Sequence, residues 1–517
     1  MNHRIRFAAL RFAPWYIAPI VFATSCILAP IAPCLAGTTP ESIGAAFDLL
    51  SSERMLADVR TLSSPSFNGR LAGSDDDLRS AQWVAREFLT AGLRLPSINN
   101  GSLVFPFVSG EQGTPLGTMA SLVPTTTIQP DPVLRIGTED QMTTATLATD
   151  YLPVFDSPAA KVQGRVIFVG YGIIDPAQGI DDYAGVDVAN CIVLFLRGKP
   201  EDFKRPVSHA DKVRLAHEHG ALAYLTATGP LLHPYEARRG VTGRPSAYYS
   251  QLPHGQAIPG AWISTALAER LLAGPDGKNA DRLRTIQEQL NKAPGSGTAA
   301  TNQYATLHWE TAAQDGLLTN VLALIPGTGP DAIIIGAHRD HFGRPAGLLF
   351  PGADDNASGT AVMLEVARAL AKTGIPPKRT ILFASFSGEE NGLLGSRLYV
   401  SRPPIPLSRT TAMINLDHTG IGNGRLTVGV TGIEKAVAIT AGQTAELADK
   451  LDVYGFFPGG DHVPFKEAGV PTITVVSGGV HPHYHQPTDI ADTINPDILQ
   501  TAARYVLSLA WQLAHEP

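Results

Sequence analysis

The chain has 517 residues, 44% hydrophobic and 17% charged, a globular composition too long for one ordinary domain. Its formal net charge of −7 leaves no basic footprint, so nucleic acid is excluded as the expected partner.

Residues 1–36 read as an export signal. Arg4, Arg6 and Arg11 form a positive start, and 12–35 is mostly apolar, interrupted by Pro14, Pro19, Pro30 and Pro33. "PCLAG" offers small residues for cleavage after Ala36. A retained membrane anchor is the alternative, because the apolar run approaches the length of a span. The prolines and the small-residue site favour cleavage. That implies a periplasmic or extracellular protein with no stable membrane partner. Cleavage removes Cys26 and Cys34 and leaves Cys191, so no internal disulfide is expected. Cys191 opens an apolar run and reads as a small buried hydrophobe.

Residues 78–92 place Leu78, Ala81, Val84, Ala85, Phe88 and Leu89 on one face of an amphipathic helix, with Asp75, Asp76 and Asp77 at its start and Gly92 at its stop. Residues 100–150, rich in Thr, Pro and Gly without a sustained period, read as loops and short strands. From about 135 to 295 the texture changes. Short buried strands are predicted at 164–172, 191–198 and 258–264, with a helix followed by a strand over 208–226. This is the pattern of a small, self-contained α/β module. From about 318 a second pattern begins, with strands at 320–327, 331–338, 380–386, 411–417 and 471–477 and helices at 358–374 and 496–514. Apolar strands alternating with amphipathic helices predict an α/β fold, a three-layer, mostly parallel sheet with helices on both faces.

In such a sheet the ligand site lies outside the carboxyl ends of the strands. Those ends carry metal-ligand types here. His338 and Asp340 follow 333–335, Asp354 and Asp355 lie in the next loop, Glu389 and Glu390 follow 380–386, Asp417 ends 411–416, and His485 lies in the loop after 471–476. Taken singly, each reads as a helix cap or a loop salt bridge. Together they concentrate carboxylates that repel one another and resist desolvation, which divalent cations relieve. Imidazole plus carboxylate with no nearby thiolate suits zinc, with cobalt or manganese as less exclusive fits. A carboxylate shared by two ions suits the spacing of two-metal hydrolases.

"GAHRDHFG", "PGADDNASG", "SFSGEENGLLGS", "NLD" and "YHQPTD" resemble the signature set of the M28 zinc metallopeptidases, a family that includes secreted aminopeptidases and glutamate-carboxypeptidase-like enzymes. The resemblance covers roughly 45–110 and 300–517. The middle of the chain, through "DDYAGVDVANCIVLFLRG", is similar to a protease-associated (PA) domain. After the signal over 1–36, it implies a peptidase domain in two parts at 37–134 and 296–517, and an inserted PA-like domain at 135–295. It also implies two Zn2+ per chain, one on His338 and Asp417 and the other on Glu390 and His485. On sequence alone Asp354 or Asp355 suits the bridge; the resemblance favours Asp355. Asp340 is expected to orient His338, and Glu389 to act as general base. Asp461, His462 and Tyr484 are expected near substrate, with Tyr484 suited either to oxyanion contact or to packing beside His485. His341, His462, His481 and His483 are ligand types too, with ligation as the alternative, but are expected as hydrogen-bonding or surface histidines. Arg339 departs from the tyrosine common in the family at that place.

The resemblance implies an exported di-zinc aminopeptidase acting on peptides. The runner-up is a glutamate-carboxypeptidase-like enzyme, with Arg339, Arg344 or basic residues of the inserted module gripping a carboxylate. A non-catalytic, receptor-like protein is a third class, and should lack ligands or the base. A one-metal glutaminyl-cyclase-like enzyme is a fourth, disfavoured because His338 and Asp417 are both present.

Overall fold

The computed structural model describes residues 40–94, 118–232, 237, 241–252, 255–273, 282–295 and 298–515. The expected signal segment lies outside these residues. No described helix is long and apolar enough to cross a membrane.

An eight-stranded sheet runs in the order Thr118–Ile128, Thr311–Ile325, Thr380–Phe386, Ala332–His338, Thr410–Leu416, Thr472–Ser477, Leu426–Thr431, Leu451–Tyr454. The four strands from Thr380–Phe386 to Thr472–Ser477 are parallel to one another, and an antiparallel neighbour flanks them on each side. Side chains alternate across this parallel core. Ile333, Ile335, Phe383 and Ile414 enter one hydrophobic cluster, while Ile334, Leu382 and Met413 enter another on the opposite face. The first face is covered by Gly359–Thr373 and Pro496–His515, the second by Leu394–Ser401 and His462–Glu467. Full burial of each such isoleucine is worth about 1.5–3 kcal/mol. That two-sided burial is why these runs are continuously apolar rather than alternating.

The helix Asp75–Thr90 begins where Ser74 accepts the N–H of Asp77, with three aspartates in its first turn. The expectation for 100–150 needs correction. Thr118–Ile128 is an eleven-residue strand at the edge of the sheet, paired antiparallel with Thr311–Ile325. Its threonines suit a strand, and an edge position tolerates Pro124. The period is blurred because an edge strand need not bury both faces.

A second eight-stranded sheet, between 133 and 309, has a parallel centre formed by Ala160–Val169, Ile192–Leu196, Ala223–Ala227 and Gly260–Ile263. Thr298–Trp309 also pairs into this sheet, past residue 295 where the sequence reading ends the module. Cys191, directly before the central strand Ile192–Leu196, is buried and free.

Candidate metal centre

The carboxyl ends of the parallel strands converge. His338 ends its strand, and Asp417 directly follows Leu416. The loop carrying Asp354 and Asp355 starts at Gly352, which has φ +58 and no room for a Cβ, since one would lie 2.3 Å from Asp355 O and 2.6 Å from His341 Cγ. The loop is tied down by Asp489, whose carboxylate accepts the N–H groups of Asp354 (2.9 Å) and Asp355 (3.0 Å). Asn356 fixes its far end by donating to Leu416 O at 2.9 Å, beside Asp417. Arg70, fully buried, donates to Pro351 O and Gly352 O, both at 2.8 Å, so the amino-terminal segment braces the same loop.

Asp355 stands at the centre. Its Oδ1 lies 3.4 Å from His338 Nε2, and its Oδ2 lies 3.1 Å from His485 Nε2. His338 Nε2 is also 3.4 Å from Asp417 Oδ1, and His485 Nε2 is 3.5 Å from Glu390 Oε2. Ligands on a tetrahedral zinc with 2.0–2.1 Å bonds stand about 3.3 Å apart. The four separations thus match two adjoining cation sites that share Asp355. His338 Nε2 and Asp417 Oδ1 are buried and make no hydrogen bond, which a cation between them explains. The residues therefore fit a pair of zinc ions.

Asp340 and Glu389 complete the inner shell. Asp340 Oδ1 lies 3.6 Å from His338 Nδ1 and accepts the Glu389 N–H at 3.3 Å. Burial pushes the Glu389 carboxyl up to about 8, opposed by His338 and reinforced by Asp417, Asp461 and Asp355. Glu390 is raised too, through burial and then Asp355 and Glu389. Positive charge at the two sites acts against both shifts.

Asp355, Glu389, Glu390, Asp417, Tyr484 and His485 all line one cavity of about 380 Å³, which Arg197, Tyr248 and Trp262 of the second sheet wall from the other side. Tyr484 stacks on His485, ring centroids 3.7 Å apart. A more apolar cavity of about 310 Å³ adjoins, sharing Asp417, His418 and Tyr484 and lined by Tyr454, Phe456 and Phe457. Asp461 and His462 are buried and line neither cavity, because His462 turns its Nε2 to Phe457 O at 3.0 Å; Gly459 and Gly460 form the wall instead. Asp354 does not face His338 or His485. Its Oδ2 lies 2.6 Å from His481 Nδ1 and 3.4 Å from His418 Nδ1. His481 is thereby a buried partner, and His483 meets Thr488 at 3.0 Å.

Arg339 does not reach the cavity. It is fully buried, and its N–H groups go to Asp77 (2.7 Å), Ser80 (3.1 Å), Ser385 O (3.1 Å), Phe386 O (3.2 Å) and Thr319 O. It is therefore unable to grip a substrate carboxylate. Arg344 is exposed, donates to Asn68 at 2.9 Å and does not line the cavity.

Sequence reasoning missed one residue at the centre. His418, in the left-handed conformation (φ 48), brings Nε2 within 3.5 Å of Asp355 Oδ2. His341, expected as a hydrogen-bonding or surface histidine, is buried and places Nδ1 2.7 Å from Glu390 Oε1. The only signal for His418 was adjacency to Asp417.

Histidines and carboxylates thus gather at the strand ends of an α/β sheet as a candidate metal site. Residues 320–510 match the model of Peptidase family M28. A probable leucine aminopeptidase of Arthroderma otae is 32% identical over 211 residues, 38% of this chain and 57% of the relative, so the chain spans little more than half that protein's length. Among solved structures, the aminopeptidase from Aneurinibacillus sp. strain AM-1 superposes with a TM-score of 0.63 at 23% identity, covering 92% of this chain and 96% of that one. BSAP, a zinc aminopeptidase from Bacillus subtilis, gives a TM-score of 0.58 at 21% identity, covering 90% and 96%. The fold is thus that of these aminopeptidases.

Proposed function

We propose that the chain is an exported aminopeptidase that holds two zinc ions and hydrolyses the amino-terminal peptide bond of peptides. The observation that carries this is the placement of Asp355, with one oxygen facing His338 and the other facing His485. His338 and Asp417 would hold one ion, Glu390 and His485 the other, and Asp355 both. Cobalt or manganese fits the same donors less exclusively. The bound ions supply the positive charge that acidifies a water and polarises a carbonyl.

The remaining work falls to the chain. Glu389, on the cavity wall, takes the proton of the attacking water and returns it to the leaving nitrogen. Asp340 holds His338 in orientation through Nδ1. The carboxylates of the cavity offer the negative surroundings that a free α-amine seeks. Tyr484, stacked on His485, borders the same space. The second module, similar to a PA domain, caps the cleft and limits substrate size. Export rests on the charge and hydropathy pattern of residues 1–36.

One observation favours the runner-up, cleavage at a free carboxyl end: Arg197 of the second module lines the cavity. The test is a panel of aminoacyl chromogenic substrates and N-blocked dipeptides, with zinc quantified per chain. Turnover of free-amine substrates supports the proposal. Turnover of N-blocked dipeptides alone moves the reading to a carboxypeptidase. A chain without zinc and without turnover is a receptor-like protein.

A further inference from the structure

His485 is held from outside its own sheet. Its Nδ1 lies 2.9 Å from the backbone oxygen of Ala247, which lies between two strands of the second sheet. A carbonyl oxygen only accepts, so Nδ1 carries the proton and Nε2 is the atom turned to Asp355 and Glu390. Ala247 N–H returns a bond to His485 O at 2.9 Å, closing a reciprocal clamp. The neighbouring Gln486 amide donates to Pro245 O and Ser246 Oγ, each at 2.9 Å. At the other end of the segment, Asp156 accepts from Ser250 N (2.7 Å), Ser250 Oγ (2.9 Å) and Gln251 N (2.7 Å). Between these anchors Tyr248 and Tyr249 form cavity wall. His338 is supported differently: its Nδ1 lies 3.3 Å from Asp340 O and 3.6 Å from Asp340 Oδ1, within one segment of the peptidase sheet.

We infer that residues 245–251 of the second module are a positioning element of the metal centre, with the Ala247 carbonyl fixing the tautomer and ring orientation of His485. This rests on the two-zinc reading above. Outer partners of metal-ligating histidines are worth about 10–100-fold in metal affinity. Zinc on Glu390 and His485 therefore depends on how the second module docks, whereas zinc on His338 and Asp417 does not. Because Tyr248 and Tyr249 also wall the cavity, a ligand pressing on this segment and the ion on His485 are coupled, each altering the other's affinity by the same factor.

The experiment is zinc titration of the full, metal-stripped chain against a competing chelator. Gln486→Leu and Asp156→Ala release the segment from opposite ends while leaving all five proposed ligands intact. Wild type is expected to bind zinc in two steps. Each variant is expected to weaken one step about 10–100-fold and leave the other unchanged. Asp340→Ala serves as the counterpart and weakens the opposite step. A general loss of packing would weaken both steps together, and that result, like two unchanged steps in Gln486→Leu, overturns the inference alone. Wild type that does not bind zinc in two steps overturns the two-zinc reading and this inference with it. If Asp156→Ala does not fold, Gln486→Leu decides.

Discussion

Replacing Arg339 with methionine removes one buried charge together with its hydrogen bonds to Ser80, Ser385 O, Phe386 O and Thr319 O, and the pH dependence of the loss reports the charge pair. Arg339 and Asp77 are both fully buried and meet at 2.7 Å. Burial pushes Asp77 up to about 6 from 3.8, with Arg339 and then Ser387 pulling it down. That rise corresponds to about 3 kcal/mol of native-state cost once Asp77 is ionised. Its sign follows from proton binding. A carboxyl raised in the fold holds its proton more tightly there than in the unfolded chain, so its contribution is favourable at low pH and is lost as pH rises through 3.8 towards 6. Removing one partner of a buried pair costs about 3–5 kcal/mol. Without Arg339, Asp77 keeps its proton to still higher pH, so the penalty relative to wild type grows by about 1.4 kcal/mol per pH unit above 6. Urea unfolding followed by circular dichroism at pH 5, 6, 7 and 8 measures it. Arg339→Met should lose more stability at pH 8 than at pH 5, and adding Asp77→Asn should remove that slope. A penalty flat across the series, or a double variant with the slope intact, would refute the reasoning.

Four further outcomes follow from the same geometry. Glu389→Gln should keep its zinc and lose about 10²–10⁴-fold in turnover, checked by metal analysis beside kcat. Asp340→Ala should lower zinc affinity about 10–100-fold with a smaller effect on unfolding, read by chelator competition. Gly260→Ala should destabilise the second module by about 1–3 kcal/mol or more, because the new Cβ would lie 2.0 Å from the Tyr224 ring; thermal unfolding reports it. The apolar cavity beside Asp417, lined by Tyr454, Phe456 and Phe457, should favour a bulky apolar residue at the cleaved end. Leucyl and phenylalanyl substrates are then expected to exceed alanyl by about 10–200-fold in kcat/KM.

The parallel core was readable because its strands are buried on both faces. Runs such as 331–338 and 380–386 stay apolar until a ligand-type residue breaks them, and that break marks the end facing the cavity. Hence those strand ends could be proposed as one site before any coordinates, while the choice of His338, Asp355, Glu390, Asp417 and His485 as ligands came from the resemblance to the M28 metallopeptidases. Three features were not readable. The edge strand Thr118–Ile128 has only one neighbour to satisfy, so its period is weak and its proline misleads. Thr298–Trp309 follows the module in sequence, and only its partners reveal which sheet it joins. The hold on His485 comes from a main-chain carbonyl 238 residues away, and a carbonyl has no letter in the sequence. Arg339 is the instructive case. A cation between two ligand-type residues suggested substrate contact, yet the alternation of the chain after His338 turns it inward to Asp77.

The most direct test of two zinc ions acting in one centre is the hydrolysis rate of a leucyl chromogenic amide as zinc is added back to the stripped chain. The account predicts activity that climbs to a plateau at about two equivalents, and that Glu389→Gln stays inactive while taking up the same zinc. A plateau at one equivalent, or turnover indifferent to zinc, would contradict it.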